Sequence, residues 1–92
     1  MKQEIAETVG LQALAWLAGN DEIFPVFLRA SGASTEDLKA QAGEPAFLGA
    51  VLDFLLMDDR WVTGFCDAAG LAYDIPMRAR HALPGGGEVN WT

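Results

Sequence analysis

EPAFLGAVLDFLLM, residues 44–57, is the stretch on which the fold turns. Between Phe47 and Met57 only Gly49 and Asp53 lack an apolar side chain. A helix that is apolar nearly all round has to be covered on most of its sides. The run is too short and too close to charge to cross a bilayer, which takes about 20 apolar residues. It therefore reads as the buried central helix of a small bundle, with the rest of the chain supplying the cover.

Composition sets the frame for that bundle. The 92 residues have room for one domain, and 51% hydrophobic against 21% charged residues supply a dense core. The formal net charge is −7. An acidic surface repels phosphate backbones and anionic lipid, so neither nucleic acid nor a membrane is an expected partner. Cys66 is the one cysteine, which excludes an intrachain disulfide and a cysteine-rich zinc site. The opening MKQEIAETVG lacks the long apolar run and cleavage signal of a secretory leader, so a cytoplasmic location is expected.

Working outward, residues 3–18 form a first helix with Ile5, Val9, Ala13 and Trp16 at helical spacing and Leu14 and Leu17 widening the stripe. Gly19-Asn20 ends it, and Asn20 can cap the second helix. That helix lies within residues 21–31. Because Pro25 has no N–H, regular helix begins near Phe24 or the segment kinks there. Ser34-Thr35-Glu36-Asp37 has the form of a capping box ahead of a short helix pinned by Leu38. Pro45 opens the central helix, and Asp58-Asp59 closes it and caps the next, residues 59–69, whose buried side is Trp61, Val62, Phe65 and Ala69. Gly70 stops that helix. Asp74 caps a last one running to about Ala82, with Pro76 in its first turn and Ile75, Met77 and Ala79 for packing. Arg78, Arg80 and His81 then complement the negative end of its dipole. No stretch alternates like a strand. The fold class is all-α: a bundle of five to six short helices over residues 1–84, with a glycine-rich hinge and tail over residues 85–92.

The chain also resembles itself. Shifted by 38 positions, Leu14, Leu17, Asp21, Phe27, Ala30 and Gly32 meet Leu52, Leu55, Asp59, Phe65, Ala68 and Gly70. A duplication predicts two similar three-helix halves with the first and fourth helices paired at the centre. The alternative is the recurrence of apolar residues and caps common to any helical bundle.

Three runs carry a family likeness: F-L-x-x-x-G-x-x-x-E-D-L over residues 27–38, E-P-x-F-L-x-x-V-L-D-F-L-L-x-D-D over residues 44–59, and A-R-x-A-L-P-G-G over residues 79–86. Together they resemble a family of small, all-helical bacterial proteins, common among alphaproteobacteria, classed as a domain of unknown function. An aspartate usually precedes the proline where this chain has Glu44. The resemblance supports the boundaries and implies a bacterial setting; it implies no activity, cofactor or site.

The candidate chemistry is sparse. Asp58-Asp59 stands where a helix needs a cap. Asp53 interrupts an apolar helix, either as a buried acid with a shifted pKa or as one at a solvent-facing edge or paired to an arginine. Cys66 and His81 are the only residues of their kinds, and a nucleophilic pair would need them in contact beside an orienting third group. Gly85-Gly86-Gly87 lacks the strand, helix and lysine of a phosphate loop. Trp61, Trp91 and Phe24 are the candidate partner-binding residues, since aromatic residues concentrate in interface hot spots. No catalytic, metal or cofactor residue is assigned. The expected function is a non-enzymatic protein–protein interaction module, an adapter. The alternatives are a small-ligand binder using an apolar pocket near Asp53 and Trp16, and a self-associating homo-oligomer.

Overall fold

The computed structural model describes residues 1–84. They form six helices, α1 (Gln3–Ala18), α2 (Phe24–Ser31), α3 (Thr35–Gln41), α4 (Pro45–Leu55), α5 (Asp59–Ala69) and α6 (Ile75–His81), and no strand occurs among them. Local chemistry sets most of the boundaries. Asn20 Oδ1 accepts from the backbone N–H groups of Glu22 and Ile23, and regular helix starts at Phe24 with Pro25 in the first turn. Ser34 Oγ accepts from Asp37 N at 3.3 Å while Asp37 Oδ2 accepts from Ser34 N at 3.1 Å, a reciprocal capping box. Asp58 Oδ1 takes the N–H of Arg60 at 2.9 Å and caps α5. Gly32 and Gly70 end α2 and α5 at φ of 71° and 70°, the left-handed region that only glycine enters without steric cost.

α1 and α4 pair at the centre, and α6 packs on both. Gly10 permits the first contact: a Cβ built there would lie 2.9 Å from Leu48 Cβ. Ala6, Val9, Ala13, Leu14 and Leu17 of α1 meet Leu48, Val51, Leu52, Phe54 and Leu55 of α4 in one core, closed by Phe27, Leu38, Phe65, Cys66, Ala79 and Leu83.

The structure corrects several side-chain expectations. Ile5 is 53% exposed, and Ala6 and Gly10 face the core in its place, one position further round the helix. Ala69 and Met77 are exposed, whereas Cys66, Pro76 and Arg80 are buried. Asp74 stands at the start of α6 without capping it through its side chain, and pairs loosely with Arg78 at 3.8 Å.

The two halves share grammar without sharing packing. Helix order repeats, Asn20 and Asp58, 38 positions apart, each accept backbone N–H groups ahead of or at a helix start, and the two left-handed glycines are 38 apart as well. Yet α6 lies against both central helices, while α3, its counterpart, reaches neither to that extent and is held by Leu38.

Candidate functional site

Among the described residues, α4 is buried over most of its surface and exposed along one strip. Leu48, Gly49, Val51, Leu52, Phe54 and Leu55 are buried. Ala46, Ala50 and, just beyond the helix, Met57 are exposed, and Asp53 on the same strip is half-buried. These positions succeed one another at intervals of three and four, so they form one helical face. The helix is thus covered on most of its sides, as its sequence requires, and this strip is the side left exposed among the described residues.

Over it lies a groove of about 630 Å³ bounded by Phe27, Ala30 and Ser31 of α2, by Ala50, Asp53 and Phe54 of α4, and by Leu56 and Met57. Its size falls within the range of about 300–1,000 Å³ usual for ligand sites. The cause is local. The ring of Phe27 is wedged between α2 and α4, meeting Phe54 edge-on at 5.2 Å and Phe47 at 6.3 Å. That ring holds the helices apart, and the alanines at positions 30 and 50 are too small to fill the gap it leaves.

An aromatic row backs the groove. Trp61 stacks on Phe54 with centroids 4.8 Å apart, Phe54 meets Phe27, and Phe27 stacks on Phe24 at 6.5 Å. Trp61 and Phe24 are thus the half-buried ends of a row whose middle two members line the groove. They support its walls and do not line it. Trp91 lies outside the described residues. Trp16 is elsewhere, with its ring over Gly64 and edge-on to Phe65 at 6.2 Å, so the pocket expected near Asp53 and Trp16 borders Asp53 alone.

Asp53 is the charged group of the groove. Its Oδ1 accepts from Arg80 Nε at 2.5 Å, and Arg80 Nη1 donates to Pro84 O at 3.2 Å. The Arg80 side chain is only 8% exposed and that of Asp53 22%. The paired-acid reading of Asp53 is the one observed. Arg80 is no dipole-complementing surface residue; it crosses Gly49, where a Cβ would lie 2.8 Å from Nη1. A sequence signal for this pair existed. Pro76, Ala79, Arg80 and Leu83 share one helical face that is otherwise apolar, as does Asp53 on α4, and two opposite charges on apolar faces satisfy each other.

The remaining candidates stay apart. Cys66 is buried, its Sγ 3.6 Å from Ala72 O, and burial pushes its thiol up, with Asp67 and Asp74 adding to the effect. His81 is exposed at the end of α6. Tyr73 donates to Asp67 Oδ1 at 2.7 Å, a bond that raises the phenol. The Arg60 guanidinium on Asp58 lowers that carboxyl, as does the capped N–H of Arg60. Among the described residues no group of three or more His, Cys, Asp or Glu is placed to hold a metal, and no helix is long and apolar enough to cross a membrane.

Fold and site define a small six-helix bundle with an apolar groove closed at its side by an arginine–aspartate pair. The chain belongs to the family DUF3572, proteins of unknown function, whose profile matches residues 3–86. No curated protein and no solved structure matches it.

Proposed function

We propose that this protein is a non-enzymatic adapter, which binds a segment of another protein in the groove between α2 and α4. One observation carries the reading: among the described residues a surface strip of the most apolar helix is exposed beside α2, and two stacked aromatic pairs back its walls. Apolar, aromatic-backed grooves accept the apolar face of a peptide helix, with side chains at helical spacing as anchors. Trp61 and Phe24 serve this role from behind, by fixing the rings of Phe54 and Phe27.

The test is affinity capture of the tagged protein from its native cell lysate, beside the variants Met57→Glu and Trp61→Ala, each checked for folding. Met57 is 76% exposed, so a charge there alters the groove and spares the core. A near-stoichiometric partner held by the parent and lost from both variants supports the adapter. A partner held equally by all three places binding elsewhere.

A second reading has one observation in its favour, the carboxylate of Asp53 at the edge of an apolar space. Apolar lining with one polar group is also the pattern of a small-ligand site. A small apolar cation bound with a defined affinity, and released by Met57→Lys, supports that reading over the adapter.

A further inference from the structure

The walls of the groove carry acceptors without matching donors. Among the described residues its lining is apolar apart from Ser31 and Asp53, and no basic side chain belongs to it. Both of its helices bring their C-terminal turns to it: Ala30 and Ser31 end α2, while Leu56 and Met57 follow α4. Carbonyls of a last turn lack intrahelical donors and form the negative end of the helix dipole. Arg29 offsets that end in α2. α4 has no basic residue in its last turn and is followed by Asp58, which Arg60 engages, and by Asp59. Arg80 Nε takes Asp53 Oδ1 and cancels the formal charge, but a carboxylate offers about four lone-pair sites. Among the described residues Oδ2 receives no donor, and the Asp53 side chain is 22% exposed.

We propose that the segment received by the groove is a short basic amphipathic helix: a large apolar anchor enters between Ala30 and Ala50, and a lysine or arginine one turn away donates to Asp53 Oδ2. This rests on the adapter reading and adds the chemistry of the partner. Desolvation decides the charge. A purely apolar segment laid over the groove strips water from Oδ2 and from the end of α4 and returns no donor, which is costly. A cation there restores the hydrogen bond and meets the negative helix end. The wider field agrees, since 13 acidic against 6 basic residues leave a net charge of −7, which draws a basic segment in and repels an acidic one. The same charge on both molecules disfavours a second copy. Length is set by α2, whose eight residues span about 12 Å, so about two turns of a partner helix fit, with anchors at helical spacing.

The experiment is selection from a displayed library of randomised helical peptides of about four turns, run against the full chain at physiological salt. Counter-selection against Ala50→Glu removes peptides held by charge alone, because that variant obstructs the groove at an exposed position and keeps the acidic surface. Circular dichroism checks that the variants fold. The expected peptides carry apolar residues at helical spacing and one lysine or arginine at a fixed distance from the main anchor. In a synthetic peptide, glutamine in place of that residue should weaken binding to the parent about tenfold, and to Asp53→Asn less than about twofold. Groove-bound peptides without a fixed basic residue overturn the proposal and leave the adapter standing. So does a glutamine replacement that costs the same in both proteins. If no peptide is sensitive to Ala50→Glu, the proposal falls as well, and capture from lysate decides the adapter by itself. Self-association of the parent in sedimentation, abolished by Ala50→Glu, makes a second copy the occupant and also overturns it.

Discussion

Arg80 and Asp53 are 27 positions apart in sequence, and Arg80 Nε donates to Asp53 Oδ1 at 2.5 Å. The pair joins α6 to the open edge of α4, and the same guanidinium holds Pro84 O, the carbonyl of the last described residue. A buried charge without its partner is far more costly than a pair replaced by apolar groups. Arg80→Ala should therefore destabilise the protein by about 2–3 kcal/mol, the worth of a charge-assisted hydrogen bond plus the exposed need of Asp53. Asp53→Asn keeps an acceptor for Arg80 and should cost less, about 1 kcal/mol. Urea unfolding of the three proteins checks this; a loss under about 0.5 kcal/mol in Arg80→Ala makes the pair a bystander.

Two helical glycines should behave against propensity. Alanine in place of glycine inside a helix usually gains about 1 kcal/mol. At Gly10 the new Cβ meets Leu48 Cβ at 2.9 Å, where two helices touch. At Gly49 it meets Arg80 Nη1 at 2.8 Å, and that guanidinium is held by Asp53 and Pro84 and cannot swing away. Gly10→Ala and Gly49→Ala should each lose about 1–3 kcal/mol, the usual penalty of overpacking. Gly43→Ala has nothing within 4 Å and no left-handed backbone, and should be neutral or gain about 0.5 kcal/mol. Thermal melts of the three variants decide whether the close approaches are real.

Cys66 should react only when the bundle opens. Its thiol is buried, and burial raises its pKa above the ordinary 9.0, with Asp67 and Asp74 contributing. A group raised on folding lends stability that is present in full below the unfolded value and lost as pH rises through the folded one. At neutral pH a thiol reagent should label Cys66 slowly, at a rate that climbs with urea below the unfolding transition. Stability should start to fall once the solution passes the ordinary thiol range. Rapid labelling of the native protein at neutral pH contradicts the burial.

The groove should bind an environment-sensitive apolar dye in the folded state. Native proteins seldom leave apolar patches open without a use for them. Fluorescence enhancement in the parent should be reduced by Met57→Glu and by Ala50→Glu, while Met77→Glu, on another exposed site, leaves it unchanged. Equal enhancement in all four proteins would place the dye away from this strip.

Much of the architecture is legible in the chain. The helix boundaries come from local chemistry: Pro25 and Pro45 in first turns, the Ser34–Asp37 box, the Asp58 cap and the glycines at positions 32 and 70. The central role of residues 44–57 comes from their apolarity. The site is legible only in fragments. Phe24 and Trp61 stand out as aromatic residues, but the rings that line the groove, Phe27 and Phe54, read in sequence as ordinary core. The strip of Ala46, Ala50, Asp53 and Met57 is the least apolar face of α4, and it marks the open side.

Sequence by itself determined the elements, because caps, prolines and helical periodicity act over a few residues and need no distant partner. Tertiary structure decided which side of each helix faces inward, by a single position in α1, where Ala6 replaced Ile5. It also decided the fate of the charges. The sequence marks Arg80 and Asp53 each as a charge in an apolar setting, but that they are each other's partners depends on where α6 crosses α4, a relationship between residues 27 apart. The groove belongs to the same class. It exists because the Phe27 ring holds α2 off α4 opposite two small alanines, and space left between helices is a property of their packing alone.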